Sequence, residues 1–287
     1  MTILITGASG HLGRLAIEAT HARGVEAGDV VAGARNRDAV ADLAERGIRT
    51  AHVDYTDPAS LDAAFEGVET VVLISSDAVG QRASQHAAVI DAAKKAGVAH
   101  FVYTSAPRAT TSALILAPEH KATEEAISAS GLTSTILRNA WYTENYVGTV
   151  AQAAAAGELV ASVGDGRVSS ASRADYAEAI AAVVTSEGHE GAVYELSGDA
   201  AWSHDELAEV ISAITGTTVS YRAVSSEEHA AYLAAAGLDE GTIGFIVGLD
   251  ANTRDGLLGE TSGDLARLIG RPTTPLAEGL AAAVAAA

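Results

Sequence analysis

Along the first half of the chain, short apolar runs alternate with longer stretches whose apolar residues recur at helical spacing. Residues 2–6, 29–33, 49–53, 69–75, 99–104 and 133–137 read as strands. Most hold consecutive Val, Ile or Leu, so both faces are apolar, as a parallel sheet covered by helices requires. The stretches between them carry helix punctuation. Asp57-Pro58 supplies an N-cap and a first-turn proline, and Gly67 stops that helix. Gly97 and Gly131 end the helices before the fifth and sixth strands. These βα repeats predict an α/β fold with a doubly wound parallel sheet of the Rossmann kind, its ligand crevice beyond the carboxyl ends of the strands.

After about residue 185 the pattern changes. Ser203-His204-Asp205-Glu206 is a capping box that opens a helix over residues 207–214, flanked by strand-like pieces at 192–196 and 218–222. A glycine-dotted segment from 237 to 263 follows, then a final helix near Leu276. The expectation is a nucleotide-binding domain over residues 1–185 and a smaller α+β lobe over 186–287, packed on the mouth of the sheet.

Composition narrows the partners. Of the 287 residues 48% are hydrophobic and 19% charged, enough to bury a sizeable core. Lys+Arg is 18 against Asp+Glu 37, a net charge of −19, which would repel nucleic acid and anionic lipid over most of the surface. With no cysteine, disulfides, thiolate nucleophiles, Cys-based zinc sites and iron–sulfur clusters are excluded. No apolar stretch is long enough for membrane insertion, and Met1 leads into a strand without a basic leader. The expectation is a soluble cytoplasmic protein without a nucleic-acid partner, with room for a homodimer.

The strongest chemical signal is Thr6-Gly7-Ala8-Ser9-Gly10-His11-Leu12-Gly13, placed between the first strand and the first helix. Glycines there allow a tight turn, close approach of the backbone to a pyrophosphate and close helix–sheet packing; the helix N-terminus then offers free N–H groups to the phosphates. At the end of the second strand, where an NAD site places Asp or Glu against the ribose 2′-hydroxyl, this chain has Arg35, with Arg37 close by. A guanidinium suits a 2′-phosphate by charge and by its forked donors, so NADPH (NADP) is the expected cofactor.

The spacing G-x-x-G-x-x-G with a leading Thr resembles that of extended and atypical short-chain dehydrogenase/reductases. Downstream, Leu73-Ile74-Ser75-Ser76, Val79-Gly80-Gln81-Arg82, Tyr103-Thr104-Ser105, the block from Leu137-Arg138-Asn139 to Tyr146, Ser172-Arg173-Ala174-Asp175-Tyr176 and Gly188-His189-Glu190-Gly191 occur in order. Together they resemble the NmrA-like branch, and within it the NAD(P)H:quinone oxidoreductases of type 2 and the triphenylmethane-dye reductases. The resemblance implies that Ser75, Ser76 and Asp77, then Ala140, Trp141, Tyr142, Thr143, Glu144 and Asn145, line the cofactor, and that Arg173 reaches it from the following helix.

Carbonyl reducers of the wider superfamily use Tyr-x-x-x-Lys to hand over a proton. The lysines here are Lys94, Lys95 and Lys121, and four residues before them stand Ile90, Asp91 and Ala117. Lys121 with Glu125 resembles the end of that helix, with Ala117 in the tyrosine slot. His120 and Lys121 read as an exposed helix face as readily as a catalytic pair. A quinone needs no such acid, because it accepts hydride directly and its oxygens are protonated afterwards. The expected reaction is hydride transfer from NADPH to a quinone or similar flat conjugated acceptor. Trp141, Tyr142 and Tyr146 are suited to walling the acceptor, and Thr104 and Ser105 to hydrogen-bonding its oxygen. Two rivals stand beside this reading: an NADP(H)-sensing regulator without turnover, and a reductase of triphenylmethane dyes or activated carbonyls. The histidines show no metal-binding spacing, Gly188-His189-Glu190-Gly191 reads as a turn, and neither Ser9 nor Ser105 sits in a nucleophile elbow.

Overall fold

The computed structural model describes residues 1–287. In chain order the first half comprises β1 (Ile3–Ile5), α1 (His11–Ala22), β2 (Val30–Ala34), α2 (Ala41–Glu45), β3 (Arg49–His52), α3 (Pro58–Ala64), β4 (Thr70–Leu73), α4 (Arg82–Ala96), β5 (His100–Ser105), α5 (Ala117–Ser130) and β6 (Ser134–Asn139). The second half adds α6 (Val147–Ala156), β7 (Glu158–Ala161), β8 (Arg167–Val168), α7 (Arg173–Thr185), β9 (Val193–Leu196), β10 (Trp202–Ser203) and α8 (His204–Thr215). It ends with β11 (Ser220–Ala223), α9 (Ser226–Ala235), α10 (Glu240–Arg254), α11 (Asp264–Ile269) and α12 (Leu276–Ala285).

The main sheet has seven parallel strands in the order β3-β2-β1-β4-β5-β6-β9. Its central strands are buried on both faces because their apolar residues alternate between two cores. Ile3, Ile5, Val72, Val102 and Leu137 face α1 and α7, whereas Leu4, Val71, Leu73, Phe101 and Tyr103 face α4 and the neighbouring helices. Asp57 caps α3 ahead of Pro58, and Gly97 and Gly131 close α4 and α5 in the left-handed conformation. The order reverses between β1 and β4, which opens a crevice above their carboxyl ends. No helix is long and apolar enough to cross a membrane.

The second half departs from the sequence expectation in two ways. Residues 192–196 do not belong to the smaller lobe: β9 lies beside β6 as the seventh strand, reached through α7, and Glu195 pairs with Arg138 across the two strands at 2.8 Å. Conversely, α6, β7 and β8 lie before residue 185 yet build the smaller lobe, with β7 on β11 and β8 on β10 around Val150, Leu159, Val168, Trp202, Leu207 and Ile211. A single cut at 185 therefore does not separate the two parts. The chain passes repeatedly between them, and α11 returns to pack on α7 and β9.

The capping box at Ser203 and Glu206 is formed as the sequence indicated. Most of the glycine-dotted segment is the helix α10, started by Asp239 as N-cap. At Gly248 a Cβ would stand 3.1 Å from Ile115 Cδ1, the end of an exposed side chain.

Candidate functional site

The loop between β1 and α1 turns at Gly7, whose φ of +63° is one that glycine adopts freely. Gly10 N–H donates to Gly7 O at 2.9 Å, and Ala8 N–H donates to Gly33 O at 3.0 Å, which ties the loop to β2. Gly13 lets α1 sit directly on the loop: a Cβ there would lie 2.2 Å from Gly7 O. Gly10 is the N-cap and brings no side chain to the first turn. The N–H groups of His11, Leu12 and Gly13 consequently have no protein acceptor, and they carry the positive end of the helix dipole. Ala8 and Leu12 are core residues, while Ser9, Gly10 and His11 are exposed.

Above this loop lies a cleft of 530 Å³. The predicted residues Gly7, Ser9, Gly10, Arg35, Ser75, Ser76 and Asp77 all line it. Arg35 leaves the end of β2 exposed, without an ion pair or hydrogen bond, whereas Arg37 is engaged by Thr50 Oγ1. The cleft also has walls that the sequence reading missed: Asp54, Tyr55 and Thr56 after β3, and Gln81 and Gln85 at the start of α4. Asp54 and Tyr55 follow a strand at its carboxyl end, so the rule that nominated Ser75 would have nominated them. Tyr55 donates to Thr6 Oγ1 at 2.6 Å, and Thr6 Oγ1 accepts from Ile74 N–H at 3.1 Å, so one threonine locks three strand ends together. Burial pushes the Tyr55 phenol up to about 12.

The other predicted residues do not line this cleft; several lie along the same sheet edge. Thr104 is buried and accepts from Ser75 N–H at 3.0 Å. Ser105 is buried and donates to Glu124 at 2.6 Å. Glu124 also receives Arg138 at 2.6 Å, and Glu195 receives it from the opposite side at 2.8 Å. These bonds engage both hydroxyls with the protein itself.

After β6, Ala140 N–H donates to Leu196 O, and Thr143 N–H to Ala171 O, stitching the loop to the segment before α7. Thr143 is buried against Ser170. Arg173 lies 5.0 Å over the Tyr142 ring, donates to Asn145 Oδ1 at 2.9 Å and stands 4.0 Å from Glu144. Tyr142, Glu144, Asn145 and Arg173 thus form one cluster at the carboxyl edge. Tyr142 packs edge-on against Tyr176, 5.2 Å between ring centres, and burial raises both phenols. Trp141 is half-buried beside the smaller lobe, and Tyr146 packs edge-on against Trp202 at 5.0 Å within that lobe's core.

His120 is not on an exposed face. It is buried, with Nδ1 2.8 Å from the Tyr103 hydroxyl. The helix pattern could not show this, because Tyr103 comes from β5. Lys121 is exposed and reaches only Glu125, at 3.9 Å. Ala117 is buried at the start of α5. His86 is also buried: Nδ1 contacts Thr123 Oγ1 at 2.9 Å and Nε2 accepts from Ser76 N–H at 3.2 Å. Burial, aided by the nearby Arg82 charge, pushes His86 down to about 4 and His120 to about 3, so both are neutral imidazoles at pH 7. No group of His, Asp and Glu is arranged to hold a metal ion.

Residues 1–243 match the model of the NmrA-like family. The chain is 45% identical to quinone oxidoreductase 2 of Escherichia coli over 276 residues, 96% of each protein. Its fold superposes on the crystal structure of the Escherichia coli NADPH-dependent quinone oxidoreductase complexed with NADPH, with a TM-score of 0.94, 44% identity and coverage of 98% of this chain and 99% of that one. The Citrobacter sp. triphenylmethane reductase complexed with NADP(H) gives a TM-score of 0.93 at 37% identity, covering 98% of this chain and 100% of that one.

Proposed function

The chain belongs to the NmrA-like family, and from that premise we propose that it is an NADPH-dependent oxidoreductase passing hydride to a quinone or a similar flat conjugated acceptor. The observation that carries the reading is that one cleft is lined both by Gly7, Ser9 and Gly10, the loop that runs straight into the unpartnered N–H groups at the start of α1, and by the unpaired guanidinium of Arg35. Their chemistry fits a dinucleotide with a third phosphate on its ribose. The α1 N–H groups would hold the diphosphate, and Arg35 the 2′-phosphate. Gly10, exposed on the loop, leaves room that a larger residue would fill.

When bound, NADPH supplies a hydride. The chain's own work is to place an acceptor against it and limit the access of water. Ser75 to Asp77, which line the cleft, would flank the acceptor on one side, and the cluster of Tyr142, Glu144, Asn145 and Arg173 at the same carboxyl edge would flank it on the other, with Trp141 at the border of the smaller lobe. Ala117 in the slot of the missing tyrosine, and Lys121 out in solvent, leave no side-chain acid of the usual kind. That suits an acceptor whose oxygens can be protonated by water after reduction, and it does not suit a simple ketone. A reaction that consumes the reduced dinucleotide also supports a cytoplasmic location.

The test is NADPH oxidation followed at 340 nm with benzoquinone, a triphenylmethane dye and a simple ketone, run beside NADH. Benzoquinone should be fastest, the ketone inert and NADH poorer than NADPH. Tight NADPH binding with no oxidation by any quinone would make the protein a sensor and overturn the proposal.

A further inference from the structure

Gly7, Gly10 and Arg35 account for only part of the lining of the cleft, and none of Tyr142, Glu144, Asn145 and Arg173 lines it. The cleft therefore fits the adenosine half of a dinucleotide, with its remaining walls around the base. Those walls are the carboxyl ends of β3 and β4 and the start of α4. Val53, Ile74 and Ala78 supply apolar surface there for the flat faces of a purine.

Two side-chain amides line the same cleft, those of Gln81 and Gln85. The residues stand one turn apart, with Gln85 N–H donating to Gln81 O at 3.1 Å, so they share a face of the helix. Gln81 holds the N-cap position of α4 without capping it. Glu119 does that work, accepting from Gly80 and Arg82 N–H and fixing the start of the helix. Neither glutamine amide forms a hydrogen bond within the protein. Gln81 is exposed and keeps its water, whereas Gln85 is half-buried in the wall of the cleft. Its neighbours are engaged elsewhere: Asp54 Oδ1 accepts from Thr56 N–H at 2.8 Å, the Tyr55 hydroxyl donates to Thr6, and His86 meets Thr123 and Ser76.

We propose that Gln85 reads the base of the dinucleotide, its amide pairing with the edge of adenine that carries the 6-amino group. This rests on the reading that NADPH occupies the cleft. That edge sets an N–H donor beside a ring-nitrogen acceptor, and a primary amide presents the complementary pair, C=O beside N–H, in one plane. The same match lets glutamine recognise adenine in the major groove of DNA. No other type of side chain on the cleft offers it: Asp54 and Asp77 as carboxylates only accept, Arg35 only donates, and a serine or threonine hydroxyl is a single point. Arg35 would then hold the ribose phosphate, the apolar residues the faces of the ring, and Gln85 would test its identity. Because α4 carries Gln85 on a fixed helix, little freedom is lost when the amide engages.

The experiment measures, by titration calorimetry, the affinity for NADP⁺ and for its analogue with an unsubstituted purine base, which lacks the amino group and adds no bulk. Wild type is compared with Gln85→Met, which keeps the length of the side chain and removes both polar groups, and the melting temperature of each is recorded. Wild type should prefer NADP⁺. Gln85→Met should bind NADP⁺ about tenfold more weakly, as the loss of two neutral hydrogen bonds predicts, while its affinity for the purine analogue should fall by less than about threefold. The melting temperature without ligand should move by less than about 2 °C, because the amide has no partner in the free protein. If Gln85→Met does not fold, Gln85→Ala gives the same contrast.

NADP⁺ affinity unchanged in the Met or Ala variant, or lost equally with affinity for the purine analogue, would make Gln85 a part of the wall only and overturn the proposal. The outcome is separable from that of the proposed reaction. A wild-type protein that binds NADP⁺ through Gln85 but reduces no quinone loses the activity and keeps the base contact. A wild-type protein that binds neither dinucleotide would overturn both.

Discussion

Gly10 and Gly13 make opposite predictions about fold and ligand, although they stand three residues apart in one motif. A methyl group on Gly13 would lie 2.2 Å from Gly7 O, 2.6 Å from Gly7 C and 3.0 Å from Ala8 Cα. All three are backbone atoms, so α1 must lift off the loop. Overpacking of that severity belongs at the upper end of its usual range, about 3 kcal/mol. Removing a glycine from a helix returns about 1 kcal/mol. Gly13→Ala should therefore destabilise the protein by about 2 kcal/mol, or about 4–8 °C in melting temperature for a chain of this size. At Gly10 the nearest atom to an added Cβ is Gly7 O at 3.2 Å, and φ −86°, ψ 164° is extended backbone that valine accepts. Gly10→Val should leave the unliganded melting temperature within about 2 °C, the effect of under 1 kcal/mol. It should nevertheless remove the stabilisation by NADPH, which at a hundred times Kd is worth about 2.7 kcal/mol in the wild type. Differential scanning fluorimetry with and without NADPH reads both numbers. A full ligand shift in Gly10→Val would mean that the loop is a turn and not a phosphate cradle. An unchanged melting temperature in Gly13→Ala would refute the packing argument.

Arg35→Ala should weaken NADPH binding by about 10- to 100-fold, the loss of charge-assisted hydrogen bonds worth about 1.5–3 kcal/mol, with little change for NADH; equal losses by titration calorimetry would refute the phosphate contact. Lys121→Met should keep quinone turnover within about tenfold, roughly 1.4 kcal/mol in barrier, since the ammonium is exposed and reaches only Glu125; steady-state kinetics decide it. His86, His120 and His204 are held neutral by burial, pushed down to about 4, about 3 and about 4. Between the ordinary histidine value and those values the unfolded chain binds more protons than the native one, so stability should fall as pH drops from about 6.5 towards 4, by up to about 1.4 kcal/mol per pH unit for each group. Urea titrations across that range check the slope, and a flat profile would mean that these imidazoles are solvated.

What the sequence disclosed follows from how far each residue's environment depends on distant chain. Strands apolar on both faces announce a covered parallel sheet by themselves, and β1, β2, β4, β5 and β6 lie where the pattern put them. The βα turns with their glycines and Arg35 are equally local, and they converge on one cleft. β9 was misplaced because its Glu195 looks like a surface residue until Arg138 of the adjacent strand is beside it. His120 and Arg82 are ordinary helix residues in sequence; only the packing of α4 and α5 against β5 buries them. Tyr55 stands at the carboxyl end of β3, where the strand-end rule reaches it, but its bond to Thr6 joins residues far apart in the chain and is not legible locally.

The interleaving of the two parts limits how such a protein can be altered. A hybrid that kept residues 1–185 and borrowed a foreign tail would lose β9, leaving the β6 edge bare and prone to pair with another chain. It would also keep α6, β7 and β8 without the partners they fold against. Acceptor preference in this architecture cannot be traded as a cassette. It has to be tuned in place, loop by loop, along the rim where both parts meet.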